Sequence, residues 1–309
     1  MITPILAGLT RALHRLAGRR TPDAGAVSVP AIPEPFVPPG HYYSPIPSIA
    51  DIEGSAGRAP AAHVAVVPGI DLDEAGQLRL LHELAAHYPS MPFTDTGSPG
   101  LRFQFDNPSY SYGDGILFHT MLRHLRPKQV IEVGSGHTSA LLLDTNEHFL
   151  GGSVQTCFIE PHPDLLFSLM TEADRRQARV MPSRLQDVDL ALFETLQARD
   201  ILFVDSTHVS KVGSDVNYLF FEILPRLAPG TFVHLHDIFP GFEYPIHWMR
   251  EGRAWNEQYI LRAFLEFNTS FKIRLFGNYM IQRDPEWFRA HMPLCLKNPG
   301  GAFWMERVA

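Results

Sequence analysis

The chain has 309 residues, 45% hydrophobic and 19% charged, enough apolar content to bury the core of one large domain or two modest ones. Its formal net charge of −7 argues against the dense basic surface that a phosphate backbone demands, so nucleic acid is not an expected partner. Cys157 and Cys295 give neither a disulfide framework nor zinc spacing, which fits a cytoplasmic setting, and no stretch approaches the roughly 20 apolar residues of a membrane span.

In chain order, Ile5, Leu6, Leu9, Leu13 and Leu16 share one helical face, with Arg11, Arg15, Arg19 and Arg20 around it. The apolar part precedes the basic part, the reverse of a secretory signal. The segment reads as a packed or frayed terminal helix, with a membrane-surface helix over residues 1–20 as the alternative. Residues 21–60 are rich in proline, glycine, alanine and serine, and form with that helix a first unit, 1–60. Such an arm is extended, and it is suited to wrap a second copy in a homo-oligomer. A second unit, 61–126, carries Leu72, Leu78, Leu81, Leu84 and Ala85 at helical spacing, with Asp71 or Asp73 as its cap. A loop over 90–115 and a helix from Gly115 to Leu125 complete that unit.

The third unit, 127–309, alternates strands with helices. Strands are expected at Gln129–Val133, Val154–Ile159, Arg179–Met181, Ile201–Val204 and Thr231–Leu235. Helices are expected at Thr138–Asn146, Asp164–Ala173, Leu190–Gln197 and Asp215–Leu227. This order predicts right-handed βαβ units, hence an α/β, Rossmann-like, doubly wound and mostly parallel sheet with helices on both faces. Phe271–Phe276 and Ala302–Glu306 read as two final strands bracketing a long excursion.

Ligands of such a sheet bind beyond the carboxyl ends of the strands, where the topology switches. Glu132-Val133-Gly134-Ser135-Gly136 stands at the first of these ends, and Gly134 and Gly136 allow a sharp turn and close approach of backbone to ligand. The position three after Gly136 is Ser139, so the third glycine of a dinucleotide fingerprint is missing. Glu160 ends the next strand, where a carboxylate can accept both hydroxyls of a ribose; Gln186-Asp187 follows the third, within reach of an adenine amino group.

From about Asn107 onward this arrangement resembles class I S-adenosylmethionine-dependent methyltransferases. The resemblance implies that Gly134, Ser135 and Gly136 pass under S-adenosylmethionine, that Glu160 holds its ribose and that Asp187 holds its adenine. Glu132 and Gln186 complete the expected cofactor set. Leu227-Ala228-Pro229-Gly230-Thr231 matches the family's turn into its fifth strand, and the last two strands supply its antiparallel hairpin.

Asp205 ends the fourth expected strand, and His236-Asp237 ends the fifth, so two carboxylates and an imidazole converge. Such a set can hold a divalent cation. Here the chain is similar to metal-dependent O-methyltransferases of the catechol, caffeoyl and macrolide-sugar kinds, which carry an acid and then an Asp-Asp or Asp-Asn pair at these places. The resemblance implies Asp205, His236 and Asp237 as ligands of Mg2+ or Mn2+; an imidazole shifts the preference toward a transition metal. The same residues could instead orient substrate. His208 stands where catechol-type enzymes have a lysine base, and an imidazole suits deprotonation of a hydroxyl near neutrality, with Lys211 in reserve.

Tyr110, Tyr112 and Asp114 before the first strand, and Phe242, Tyr244 and Trp248 after the fifth, are the expected frame for a small-molecule or glycan acceptor, although packing of a long loop explains the same residues. Val209–Tyr218 and Trp255-Asn256-Glu257 resemble a bacterial group of uncharacterised class I methyltransferases. The expected activity is O-methylation. The alternatives are a metal-independent transfer using His208 or His236, a non-catalytic protein that binds the same cofactor, and a nicotinamide oxidoreductase.

Overall fold

The structure, a computed structural model, describes residues 34–56 and 66–309. The expected terminal helix, and the arm up to residue 33, lie outside the described residues. Seven strands form one sheet: β1 (Gln129–Val133), β2 (Gln155–Ile159), β3 (Arg179–Met181), β4 (Ile201–Val204), β5 (Phe232–Leu235), β6 (Phe271–Phe276) and β7 (Phe303–Arg307). Their order is β3-β2-β1-β4-β5-β7-β6; the first five are parallel, and β7 runs antiparallel to both β5 and β6. This is the mixed, doubly wound α/β sheet that the alternation predicts.

The strands form where buried β-branched and aromatic residues run together. Every residue of β4 is buried, and so are four of the five in β1, as a sheet covered on both faces requires. On one face the Tyr112–Leu125 helix lays Phe118 against Phe203, His234 and Trp304. The Glu74–Ala85 helix starts at Asp73, whose carboxylate accepts from Gly76 N. It docks through Gln77, whose amide oxygen accepts from Phe276 N at 2.6 Å. The loop between these helices buries Phe93, Phe103 and Phe105 as edge-to-face pairs.

Several expected helices are shorter or broken, each for a local reason. The Asp215–Leu227 segment is α only over Asp215–Tyr218, then a π-turn over Leu219–Ile223 and a 3-10 turn over Leu224–Arg226. Pro225 has no N–H to continue the α ladder. The Asp164–Ala173 segment divides into Asp164–Leu169 and Glu172–Gln177, because Thr171 and Asp174 form a reciprocal capping box that starts a new helix. Leu190–Thr195 is 3-10 throughout. The excursion before β7 holds two further helices, Gly277–Arg283 and Pro285–His291.

Register positions the site. Val133 pairs with both Ile159 and Val204, and Val204 pairs with Leu235. The next residue of each strand, Gly134, Glu160, Asp205 and His236, therefore stands in one row along the carboxyl edge. The chain leaves β1 toward β2 on one side and β4 on the other, so the switch point falls between Gly134 and Asp205.

Candidate functional site

A cavity of about 650 Å3 opens at that switch point, in the range of small-molecule sites. Gly134 forms its floor at φ 79, a left-handed conformation, and a Cβ there would overlap the Asp205 carbonyl oxygen. Both facts demand glycine. Glu160 lines the wall, accepting from His162 N at 2.8 Å on Oε1 and from Ser135 N at 3.2 Å on Oε2. Each oxygen thus keeps a lone pair for a diol, and the buried hydroxyl of Ser135 beside it has no protein partner. Gln186 also lines the cavity and donates to Gly213 O at 2.8 Å, which pins the Lys211–Ser214 loop over the opening.

Two residues of the expected cofactor set stand elsewhere. Glu132 is fully buried beneath the turn, where its carboxylate accepts from Thr138 and from Ser139 Oγ at 2.7 Å; its role is to brace the glycine turn and helix start. Burial pushes its carboxyl up to about 8, against the two hydroxyl hydrogen bonds. Asp187 is paired with Arg184 at 2.8 Å, and Arg184 and Gln186 face the cavity while Asp187 does not. The 3-10 turn Leu185–Asp187 sends successive side chains in different directions.

Next to this cavity the ends of β4 and β5 bring together Asp205, His208, His236 and Asp237. His208 and Asp237 both adopt left-handed backbone, at φ 58 and φ 59, a strained conformation that turns both side chains toward Asp205. His208 Nε2 lies 3.4 Å from Asp205 Oδ1 and 3.7 Å from Asp237 Oδ2, and its Nδ1 is 2.8 Å from Glu257 Oε2. His236 Nδ1 lies 3.3 Å from Asp205 Oδ2 and 3.7 Å from Asp237 Oδ1, while Nε2 is 3.3 Å from Asp114 Oδ2. At these angles neither nitrogen of His236 makes a hydrogen bond. Asp205, with 23% of its side chain exposed against 5% for His208, is the member that connects the cluster to the cavity.

The electrostatics follow from proximity. Burial opposes charge on His208, but hydrogen bonds to Asp205 and Glu257 outweigh it and push the ring up to about 10. Burial is likewise overcome at His236, which the charges of Asp237, Asp205 and Asp114 carry well above its ordinary value. Burial would raise Asp205, yet the nearby charge of His236, with the contact and charge of His208, holds it well below the usual carboxylate range. Burial raises Asp237 in spite of the two rings.

The structure bears on three expectations about this cluster. His208 as well as His236 reaches both Asp205 and Asp237, and the ligand atoms of His208, Asp205 and Asp237 all lie within 4.8 Å of one another. The carboxylates around His208 favour its protonated form, against its expected role as a base. Lys211 lines the neighbouring cavity. Glu257, at the start of the Glu257–Leu265 helix, was not among the expected site residues, though Trp255-Asn256-Glu257 stood out in the sequence.

The expected acceptor frame divides. Tyr110 is buried with its ring 5.1 Å from that of His236, and Asp114 reaches the same imidazole. Tyr112 instead stacks on Phe105 and under Lys297, away from the cluster. Phe242 is core, packed on Phe276 and Phe303. Tyr244 and Trp248 both pack edge-on against Trp255, whose ring lies 4.5 Å from His208. The last three thus form the wall behind the site. Among the described residues, no helix is long and apolar enough to cross a membrane.

Comparison with known proteins places a methyltransferase-domain family model on residues 131–238. An uncharacterised protein of Archaeoglobus fulgidus is 30% identical over 169 residues, covering 52% of this chain and 73% of that one. Among solved structures, the O-methyltransferase TomG of Streptomyces achromogenes in complex with S-adenosylmethionine is 16% identical, over 78% of this chain and 92% of its own, with a TM-score of 0.41. The S-adenosylhomocysteine-bound methyltransferase PaMTH1 of Podospora anserina is 13% identical, over 79% and 99%, with a TM-score of 0.43. The family model begins inside β1, crosses the glycine turn and ends just past Asp237, so that it takes in the cavity floor and both acidic strand ends; this chain belongs to the class I S-adenosylmethionine-dependent methyltransferases.

Proposed function

We propose that this methyltransferase acts on a hydroxyl oxygen of a small-molecule acceptor, at the point where Asp205 borders both the cofactor cavity and the carboxylate–imidazole cluster. The observation that carries this reading is the convergence of Asp205, His208 and Asp237 within 4.8 Å beside that cavity. When bound, S-adenosylmethionine supplies an electrophilic sulfonium methyl, and a divalent cation lowers the pKa of the acceptor hydroxyl. Glu160 orients the ribose, and the Lys211–Ser214 loop keeps water from the sulfonium.

Asp205 and Asp237 accept the acceptor's hydrogen bond and aim its oxygen at the methyl carbon. S-adenosylmethionine held there would supply its methyl to that oxygen, the carbon–sulfur electron pair staying with sulfur. With no cation in the cluster the hydroxyl proton would pass to Asp237, whose affinity for it burial raises; beside a cation it would leave to solvent. Positioning of the two reactants supplies most of the remaining rate.

A second reading needs no metal: His208 and His236 are themselves the cations that balance the carboxylates, as the 3.4 and 3.3 Å separations from Asp205 support. Methyl transfer from labelled S-adenosylmethionine to a panel of hydroxylated acceptors, with and without chelator, separates the two. Turnover that survives exhaustive chelation selects the metal-free reading. Calorimetry with S-adenosylhomocysteine tests the cavity assignment beneath both, and well-folded protein that fails to bind it would overturn that assignment.

A further inference from the structure

Both imidazoles of the cluster are buried, but only one is backed by a hydrogen-bonded carboxylate. Glu257, 1% exposed, sets its Oε2 2.8 Å from His208 Nδ1. The N–H groups of Asn256 and Glu257 both donate to the His208 carbonyl, at 3.0 and 3.1 Å, and Ser210 N donates to Asn256 Oδ1 at 2.6 Å. The loop after β4 and the start of the Glu257–Leu265 helix are thereby one hydrogen-bonded unit. A carboxylate accepting from Nδ1–H fixes the tautomer of an imidazole and leaves the Nε2 lone pair to face outward. That nitrogen faces Asp205 Oδ1 and Asp237 Oδ2. His236 stands on the other side, 5% exposed, with Nδ1 3.3 Å from Asp205 Oδ2 and Nε2 3.3 Å from Asp114 Oδ2, contacts that miss hydrogen-bond angles.

We infer that Glu257 is a positioning residue that presents His208 Nε2, with one oxygen each from Asp205 and Asp237, to a divalent cation, and that this nitrogen-containing set prefers a first-row transition cation to Mg2+. The inference rests on the metal-assisted reading above. A purely oxygen set would suit Mg2+, which keeps its waters and demands octahedral oxygen geometry. One imidazole and two carboxylates tilt the balance toward softer cations, and the remaining coordination positions open toward the cavity through Asp205.

The test is a titration of the full chain with Co2+ and with Mg2+, read by calorimetry and by Co2+ visible absorption, on the native protein and on E257A, E257Q and H236Q. Binding of S-adenosylhomocysteine is measured in parallel. One Co2+ per chain is expected, at least tenfold tighter than Mg2+. E257A is expected to weaken Co2+ by about 10- to 100-fold, the usual effect of removing such a partner, and to alter the absorption spectrum. E257Q should fall between, because its amide oxygen still accepts from Nδ1–H, and it decides the matter if E257A does not fold. H236Q should stay within about threefold of native.

Equal affinity for Co2+ and Mg2+, or a native Co2+ affinity and spectrum in folded E257A, would overturn the inference. So would a loss in H236Q as large as that in E257A, which would move the nitrogen ligand to His236. Absence of any divalent binding with S-adenosylhomocysteine binding intact removes the metal-assisted reading while leaving the methyltransferase assignment untouched.

Discussion

Gly134 and the carbonyl of Asp205 occupy adjoining space with no room for a side chain between them. The turn after β1 proposed to hold the cofactor and the proposed reaction centre after β4 therefore share a single contact. Gly134→Ala has to displace Asp205 as well as strain its own backbone, and strain of that kind costs about 1–3 kcal/mol. We expect a lowered melting temperature and at least tenfold weaker S-adenosylhomocysteine binding. Gly136, at φ 174 and ψ −120, is outside the left-handed region, and a Cβ there meets only the side chain of Leu165, at 3.1 Å, rather than backbone. Gly136→Ala should lose less than Gly134→Ala by the same two measurements, and the reverse order would contradict this account of the turn.

Glu160 and Asp187 make a second discriminating pair. Glu160 holds two backbone N–H groups and faces the cavity, so Glu160→Ala removes charge-assisted hydrogen bonds of about 1.5–3 kcal/mol each. Calorimetry should show S-adenosylhomocysteine affinity falling by about 100-fold or more. Asp187 faces Arg184 on an exposed surface, and Asp187→Ala should stay within about threefold. The opposite ranking would return the adenine contact to Asp187.

Arg102 ties the loop before the Tyr112–Leu125 helix to the body of the domain. Its guanidinium, 9% exposed, reaches Asp144 at 2.6 Å, Glu147 at 2.8 Å and Asp174 at 2.8 Å. Arg102→Ala leaves the fully buried Asp144 without its ion-pair partner, a change that typically costs about 3–5 kcal/mol. Urea denaturation should show a loss of that order. The double variant with Asp144→Asn should recover part of it, since the neutral amide can still accept from Phe103 N.

His119 supplies a pH dependence that can be isolated. It is fully buried, its Nδ1 lies 2.9 Å from Thr145 Oγ1, and burial together with the charge of Arg123 pushes the ring down to about 3 from the ordinary 6.5. Below pH 6.5 the unfolded chain takes up a proton that the folded ring refuses. Its contribution to stability is therefore complete above 6.5 and is lost as pH falls toward 3, at up to about 1.4 kcal/mol per pH unit. Denaturation curves collected from pH 7 to 4 should be flatter for His119→Gln than for the native chain. Parallel curves would show that the folded ring titrates normally.

The sheet was legible because its strands are short and apolar, and because a glycine or an acid directly follows β1, β2 and β4. β1, β3, β4 and β6 have the expected bounds, β2 and β5 start one residue later, and β7 is shifted by one residue at both ends. The cluster was legible as far as Asp205, His208, His236 and Asp237, since strand ends in one sheet must converge. The carboxylate behind His208 was not, because Glu257 stands 49 residues farther on. No local pattern links those positions. Nor does spacing reveal that Asp187 turns outward, which depends on the 3-10 turn that carries it.

Asp114 accepts from Gly301 N at 2.8 Å across 187 residues of sequence, and Gly301 itself passes so close to Asp237 that a Cβ would come within 2.7 Å of its Cα. The pairs that complete the centre are thus among the most distant in the sequence. Contacts so remote are the slowest to close in a folding chain, because the intervening loop entropy must be overcome before they return any stability. The sheet can assemble from neighbouring βαβ units while Asp114 still lacks the backbone that holds it against His236. Secondary structure and compactness should therefore recover before cofactor binding does during refolding, with the interval set by the arrival of β7.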